Sequence, residues 1–293
     1  MANLRDIKRR INSVQSTSQV TRTMEMVSTA KIRRAQDRIE HARPYALALA
    51  EMLGEVTRAS GKVRHPLLAI RKEQEVAVCI CIASDRGQAG AFNANIIHMT
   101  EAYMRRKEAD GVKVQLITYG KKLNAYFRQR GIEPVFALEG TSGSPDYTDA
   151  KLIADRVIRE YSDAEIDEVV TIYNRFVNVA NQVPETHVLL PASNEELEAI
   201  EDAKGRNLDY IFEPSAKEVL RSLLPTYVEA LIFRALLESA ASEHGARRSA
   251  MKAATDNATE MITTLRRSYN RARQAAITTE ISEIVGGAAA LEG

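Results

Sequence analysis

The 293-residue chain has no tryptophan, and aromatic residues make up only 5% of it. Aromatic side chains dominate the buried bulk of many globular cores. Their scarcity predicts that much of this chain is long helix. No stretch of about 18 consecutive apolar residues occurs, which excludes a membrane-spanning helix. Charge of one sign is not in excess. The 40 basic and 39 acidic residues leave a net charge of +1, which lacks the basic footprint of a nucleic-acid binder. Cysteine is limited to Cys79 and Cys81 in "VAVCICIA". Two residues apart on a strand, they share a face and are badly placed for a disulfide. They read as buried apolar residues rather than a metal or redox pair.

Catalytic signatures are missing too. His41, His65, His98, His187 and His244 are not spaced as metal ligands. There is no Gly-x-Ser-x-Gly, and neither cysteine has a base nearby in sequence. The opening "MANLRDIKRRINSVQ" has positive charge but no apolar run behind it. It is expected to be mature sequence of a bacterial-type cytoplasm, not a secretory signal. No catalytic, cofactor-binding or metal-binding residue is predicted.

What is present divides the chain into three. From Met1 to Leu53 there is no glycine, and Pro44 is the only proline. Leu4, Ile7, Ile11 and Val14, then Ile32, Ala35, Ile39 and Ala42, step by three and four, as one helix face does. Between them that register passes through Ser18, Thr21, Glu25 and Ser28. An adjacent stripe of Val20, Met24 and Val27 is expected to take over, so that the apolar seam shifts around the helix. From about Gln74 the pattern becomes α/β. "EVAVCICIA", "VKVQLIT", "EPVFAL", "EVVTIYNRF" and "PETHVLLPA" read as strands, with helices between them ended by Gly111 and Gly131. Alternating strands and helices predict a mostly parallel sheet covered on both faces. From about Pro214 the chain is helical again, and Met251, Ala254, Ala258, Ile262, Leu265, Tyr269, Ala272 and Ala276 form a thin, alanine-rich seam.

Each terminal helix would be roughly 80 to 90 Å long at 1.5 Å per residue. Neither finds enough surface on a domain of about 120 residues, a common domain size. The predicted fold is therefore α+β or α/β: a long antiparallel coiled coil of N- and C-terminal helices with an inserted Rossmann-like α/β domain. The segments are 1–60 (N-terminal helix), 74–195 (α/β domain) and 210–293 (C-terminal helix).

"SDRGQAGAFN", Ser84 to Asn93, follows a strand and precedes a helix, where α/β proteins cradle phosphate. Gly87 and Gly90 do not make G-x-G-x-x-G, and "YGKK" at Tyr119 is not a P-loop. The loop is either a weak nucleotide site or a tight turn in which Ser84 or Asp85 caps backbone N–H groups. One reading is thus a nucleotide- or redox-cofactor-binding α/β protein with coiled-coil dimerisation arms. Another is a generic coiled-coil scaffold.

"SVQSTSQVTRTMEMVSTAKIRRAQ", "SDRGQAGAFN", "AMKAATDNATEMI" and "YNRARQAAITTEISEIVGGAA" occur in that order. Together they resemble the gamma subunit of the F-type ATP synthase in its bacterial form, over essentially the whole chain. The middle motif departs from the family, which usually has Leu-Cys-Gly-Gly where this chain has Gln88-Ala89-Gly90-Ala91. The inserted cysteine pair of the redox-regulated chloroplast form is also missing.

The resemblance implies a non-catalytic rotor shaft, one copy per complex, that couples proton-driven rotation of the membrane ring to ATP synthesis. Its implied partners are the alpha and beta subunits of the head, the epsilon subunit and the c-ring. It implies no cofactor of the chain's own: ATP, ADP and Mg²⁺ belong to neighbouring subunits. It places the chain peripherally on the cytoplasmic face of the bacterial inner membrane. By motif match, contacts to the catalytic head fall on Met24, Arg247, Arg273, Gln274, Thr278 and Glu280. Contacts to the membrane ring fall on Tyr210 and Glu213. Gly286, Gly287, Ala288, Ala289, Ala290 and Leu291 would form a bearing tip. Dispersion and hydrophobic contact are non-directional and would not lock that tip at one angle.

Overall fold

The computed structural model describes residues 4–60, 65–71, 73–192, 212–213 and 215–292. Helix α1 is Leu4–Ser60 and helix α5 is Ala216–Glu292. Between them come β1 (Val76–Ile82), α2 (Phe92–Ala109), β2 (Lys113–Tyr119), α3 (Lys121–Gln129), β3 (Phe136–Leu138), α4 (Tyr147–Ser162), β4 (Glu168–Phe176) and β5 (Gln182–Leu190). The chain forms two compact units, Met1–Val27 with Arg248–Gly293, and Ser28–Arg247. The boundary falls inside both long helices, whereas the sequence pattern changes only at their ends.

In the larger unit the strands lie in the order β3-β2-β1-β4-β5. The first four pair in parallel, and β5 is antiparallel to β4. Alternation along β1 divides its side chains between two cores. Val78, Ile80 and Ile82 join α4 residues Ile153 and Val157, together with Leu49, Leu53 and Val56 of α1 and Leu220, Leu224 and Val228 of α5. Cys79 and Cys81 point the other way, toward Phe92 and Ile96 of α2 and Leu123 and Phe127 of α3. Both thiols are free and fully buried. Burial and the neighbouring Cys81 push the Cys79 thiol well up, so it stays a protonated apolar side chain.

Within this unit α1 and α5 run antiparallel. Arg38 Nη1 donates to Ser144 Oγ at 3.0 Å, and His244 Nε2 lies 3.0 Å from the carbonyl of neighbouring Gly143. Further along α1, Leu49 to Val56 share a core with Leu220 to Val228, which come earlier in α5.

In the smaller unit the α5 seam is as the spacing predicts. Met251 and Ala258 are buried, and Ala254, Ile262, Leu265, Tyr269, Ala272 and Ala276 are half-buried. On α1 the expected shift to Val20, Met24 and Val27 does not occur. Val20 and Val27 are 58% and 50% exposed, and Met24 is half-buried. The original register continues instead: Thr21 and, in the larger unit, Ser28 are buried. Ile7, Ile11, Val14, Ser18, Thr21, Glu25, Ser28 and Ile32 keep one unbroken three-four spacing, so they share a seam. A move to the other stripe would require the helix to rotate against its partner. The polar positions bond internally. Thr21 donates to Ser18 O at 3.1 Å, and its hydroxyl lies 2.7 Å from that of Thr255.

Backbone with positive φ marks two of the turns around the sheet. Gly120 has φ of 108°, and a Cβ there would lie 2.3 Å from Ala83 O. Ala164, just past the end of α4, has φ of 65° although it is not glycine. We expect Ala164→Gly to stabilise the fold by about 1 kcal/mol, because glycine adopts this conformation without penalty. Gly120→Ala should destabilise it by more than ~3 kcal/mol, because backbone atoms must move. Denaturant midpoints of the two variants should therefore shift in opposite directions.

Candidate functional site

Nucleotides bind open α/β sheets outside the carboxyl ends of the parallel strands. Here the loop after β1 lies at that edge, and it carries Asp85. One carboxylate oxygen accepts from the backbone N–H of Lys121 and of Gly140, both at 2.9 Å. The other accepts from Ser142 N–H at 3.0 Å. These donors lie at the start of α3 and in the loop after β3, so a single side chain ties together the loops following β1, β2 and β3. Burial alone would push the Asp85 carboxyl up, but these donors outweigh it and hold it below the ordinary carboxylate range.

The network continues into α5. Asp85 N–H donates to Ser142 Oγ at 2.8 Å, and Ser142 Oγ donates to Glu243 Oε2 at 3.3 Å. Glu243 Oε1 pairs with Arg247 Nη1 at 2.7 Å, and Arg247 Nη2 donates to Gly87 O at 3.2 Å. The path thus returns to the loop from which it started. Ser84 N–H meets Asn93 Oδ1 at 3.0 Å and anchors the turn to α2. Gln88 and Gly90 both have positive φ. Three N–H groups at this sheet edge, those of Lys121, Gly140 and Ser142, are thus bonded to the chain's own carboxylate. The loop is a tight turn held by Ser84 and Asn93, and its Asp85 bonds N–H groups of two other loops. Among the described residues no group of three His, Cys, Asp or Glu side chains could hold a metal ion.

The residues matched to head contacts fall in different settings. Arg247 is buried, with its guanidinium engaged by Glu243 and Gly87. Met24 is half-buried, whereas Arg273, Gln274, Thr278 and Glu280 are exposed on α5. Gly286 and Gly287 are exposed within α5, and a Cβ on either would meet nothing within 4 Å. The α5 backbone is helical through Ala288, Ala289, Ala290 and Leu291. Glu213 is exposed in a bend before α5, and Tyr210 lies outside the described residues.

One feature of this surface was missed in the sequence. Ile277, Ile281, Ile284 and Val285 are 46%, 56%, 72% and 62% exposed. Ile277, Ile281 and Ile284 step by four and three beside the Ala272–Ala276 seam, and Val285 lies four beyond Ile281. The motif "AITTEISEIV" carries the signal in its isoleucine spacing, beside the polar residues Thr278 and Glu280. An apolar stripe left in solvent marks a surface meant for a partner.

The family model described as ATP synthase matches residues 3–291. The ATP synthase gamma chain of Pelotomaculum thermopropionicum is 49% identical over 292 residues, covering 100% of both chains. That of Desulfitobacterium hafniense is 47% identical over 293 residues, again covering 100% of both. A chain of the Euglena gracilis mitochondrial ATP synthase (OSCP/F1/c-ring, rotational state 3) matches with a TM-score of 0.66 at 20% identity, covering 98% of this chain and 94% of that one. A chain of the Tetrahymena thermophila mitochondrial central stalk/c-ring gives 0.61 at 22% identity, covering 80% and 99%. At such identities the structural likeness speaks to the fold.

Asp85→Ala should destabilise the chain by about 2–4 kcal/mol, because three N–H groups lose a charged acceptor. The Asp85 carboxyl is depressed in the folded state. Its contribution is therefore complete above the unfolded carboxylate value, near pH 4, and is lost as pH falls through the lower folded value. Urea titrations at pH 7 and pH 3 should show a shallower acid loss in Asp85→Asn than in the parent.

Proposed function

The chain belongs to the family of ATP synthase gamma chains, and from that premise we propose that it is the central rotor shaft of an F-type ATP synthase. In this reading it couples rotation of the membrane ring to ATP synthesis in the alpha/beta head. The observation that carries the proposal is the exposed stripe Ile277, Ile281, Ile284 and Val285. A helix with this apolar face needs an enclosing partner. The names of the relatives, and neighbours described as central stalk and rotor, support an alpha/beta collar as that partner.

The mechanism asks little chemistry of the chain. Each head site meets a different face of the shaft as it turns. Arg273, Gln274, Thr278 and Glu280 are exposed on α5, where they can form charged and hydrogen-bonded contacts at one angle and release them at another. Such differential contact makes the free energy of each head site depend on shaft angle, which is allosteric coupling. Met24 would contribute from α1. Arg247 would act by holding α5 to the loop after β1. The tip from Gly286 to Leu291 would turn without directional bonds. ATP, ADP and Mg²⁺ would be held by alpha and beta subunits, and this chain would be non-catalytic. Epsilon and the c-ring would bind at the foot, with Glu213 and Tyr210 toward the ring. The protein would then be peripheral on the cytoplasmic face of a bacterial inner membrane. No described helix is long and apolar enough to cross one.

Co-expression with alpha and beta subunits should yield a complex containing one copy of this chain, with ATPase activity that the purified chain lacks. Turnover by the chain freed of alpha and beta would refute the non-catalytic assignment. Ile281→Asp should change the stability of the isolated chain by less than ~1 kcal/mol, since the site is exposed. In the complex it should weaken assembly or coupling by ~2 kcal/mol or more, because an unpaired carboxylate is buried. Equal behaviour of Ile281→Asp and the parent in both assays would show that this stripe faces solvent in the complex.

A further inference from the structure

From Ala235 to Gly245 every residue of α5 is buried, which is about three turns of helix. A helix laid on a domain surface buries one face only, so α5 is enclosed on all sides here. The second half of this stretch is small or polar. Between Ser239 and Gly245 the apolar residues are Ala240 and Ala241. Neither makes a ridge that would stop the helix turning about its own axis, and apolar contact is non-directional. Resistance to turning must come from directional bonds.

Three successive residues supply them. Ser242 Oγ donates to Asn174 O, near the end of β4, at 2.9 Å. Glu243 Oε2 accepts from Ser142 Oγ. His244 Nε2 faces the carbonyl of Gly143 at 3.0 Å and donates to it. The anchors are themselves fixed. Asn174 Nδ2 donates to Phe92 O at 3.3 Å, and Ser142 N–H donates to Asp85.

At about 100° per residue the three side chains leave the helix in different directions, with Ser242 and His244 about 200° apart. A twist of about 30° would carry an atom ~5 Å from the helix axis through roughly 2.5 Å, out of hydrogen-bonding range. Ser242, His244 and Asn174 are buried, so bonds broken in this way would not be replaced by water. We propose that Ser242 and His244 are positioning residues that key α5 into the α/β domain and fix its angle there, so that rotation imposed on the domain reaches the shaft without slip. The inference rests on the rotor reading and adds to it residues that are buried within the chain itself.

The first test uses the purified full-length chain. Leu152→Cys on α4 and Ser249→Cys just beyond His244 on α5, both at exposed positions, carry nitroxides whose distance distribution reports the angle of α5. The distribution should be narrow in the parent and wider in Ser242→Ala/His244→Leu. Ser242→Thr/His244→Gln, which keeps a donor at each position, should restore it. The second test assembles each chain with alpha, beta and epsilon subunits and the membrane sector in vesicles. Protons pumped per ATP hydrolysed should fall about threefold or more in the Ala/Leu variant, the scale of one lost hydrogen bond, and recover in the Thr/Gln variant. If the Ala/Leu variant does not fold, Ser242→Ala alone carries both comparisons. An unwidened distribution would overturn the proposal, and so would a widened one with unchanged pumping per ATP. A parent chain that forms no pumping complex would instead refute the rotor reading, and this inference with it.

Discussion

The parallel strands leave backbone N–H groups at their carboxyl edge that must be bonded, and here one carboxylate bonds three of them. Asp85 joins the loops after β1, β2 and β3. Through Ser142 and Glu243 it also fixes α5, and Arg247 returns the connection to Gly87. A sheet edge that in many α/β proteins stays open for a ligand is converted into an internal joint. The α/β insertion thus serves to grip helix α5.

The long helices follow a different rule. Their seam in the smaller unit relies on alanine and on hydroxyl contacts such as Thr21 with Thr255. Each alanine buries much less apolar surface than a leucine, and the gain scales with area. The large apolar residues Val20, Val27, Ile277 and Ile281 lie outside that seam, in solvent. Apolar bulk is concentrated where an enclosing subunit would meet it, and the internal pairing of the helices is comparatively weak. This distribution suits a part whose final packing comes from its partners.

Much of this was legible in the sequence. Both long helices, all five strands and the stops at Gly111 and Gly131 followed from period and breakers. The seam from Met251 to Ala276 followed from spacing alone. The turn around Ser84 and Asp85 was recognised, but not that Asp85 bonds three N–H groups in other loops. Those donors lie 36 to 57 positions further along the chain, and no local pattern records them. The burial of Arg247 likewise depends on Gly87, 160 positions away, as well as on its helix neighbour Glu243.

Local periodicity decides which residues can form a helix or strand, because each depends on neighbours within a turn or two. The sequence by itself therefore determined the elements, their order, the heptad spacing of the seams and the family. Tertiary structure decided which of two competing stripes on α1 is buried. The unbroken register kept Thr21 and Ser28 inside and left Val20 and Val27 out, since one helix cannot present both faces to a single partner. It also decided which donors Asp85 satisfies. Those outcomes depend on distances between residues far apart in the chain, which close only when the sheet and helices have packed.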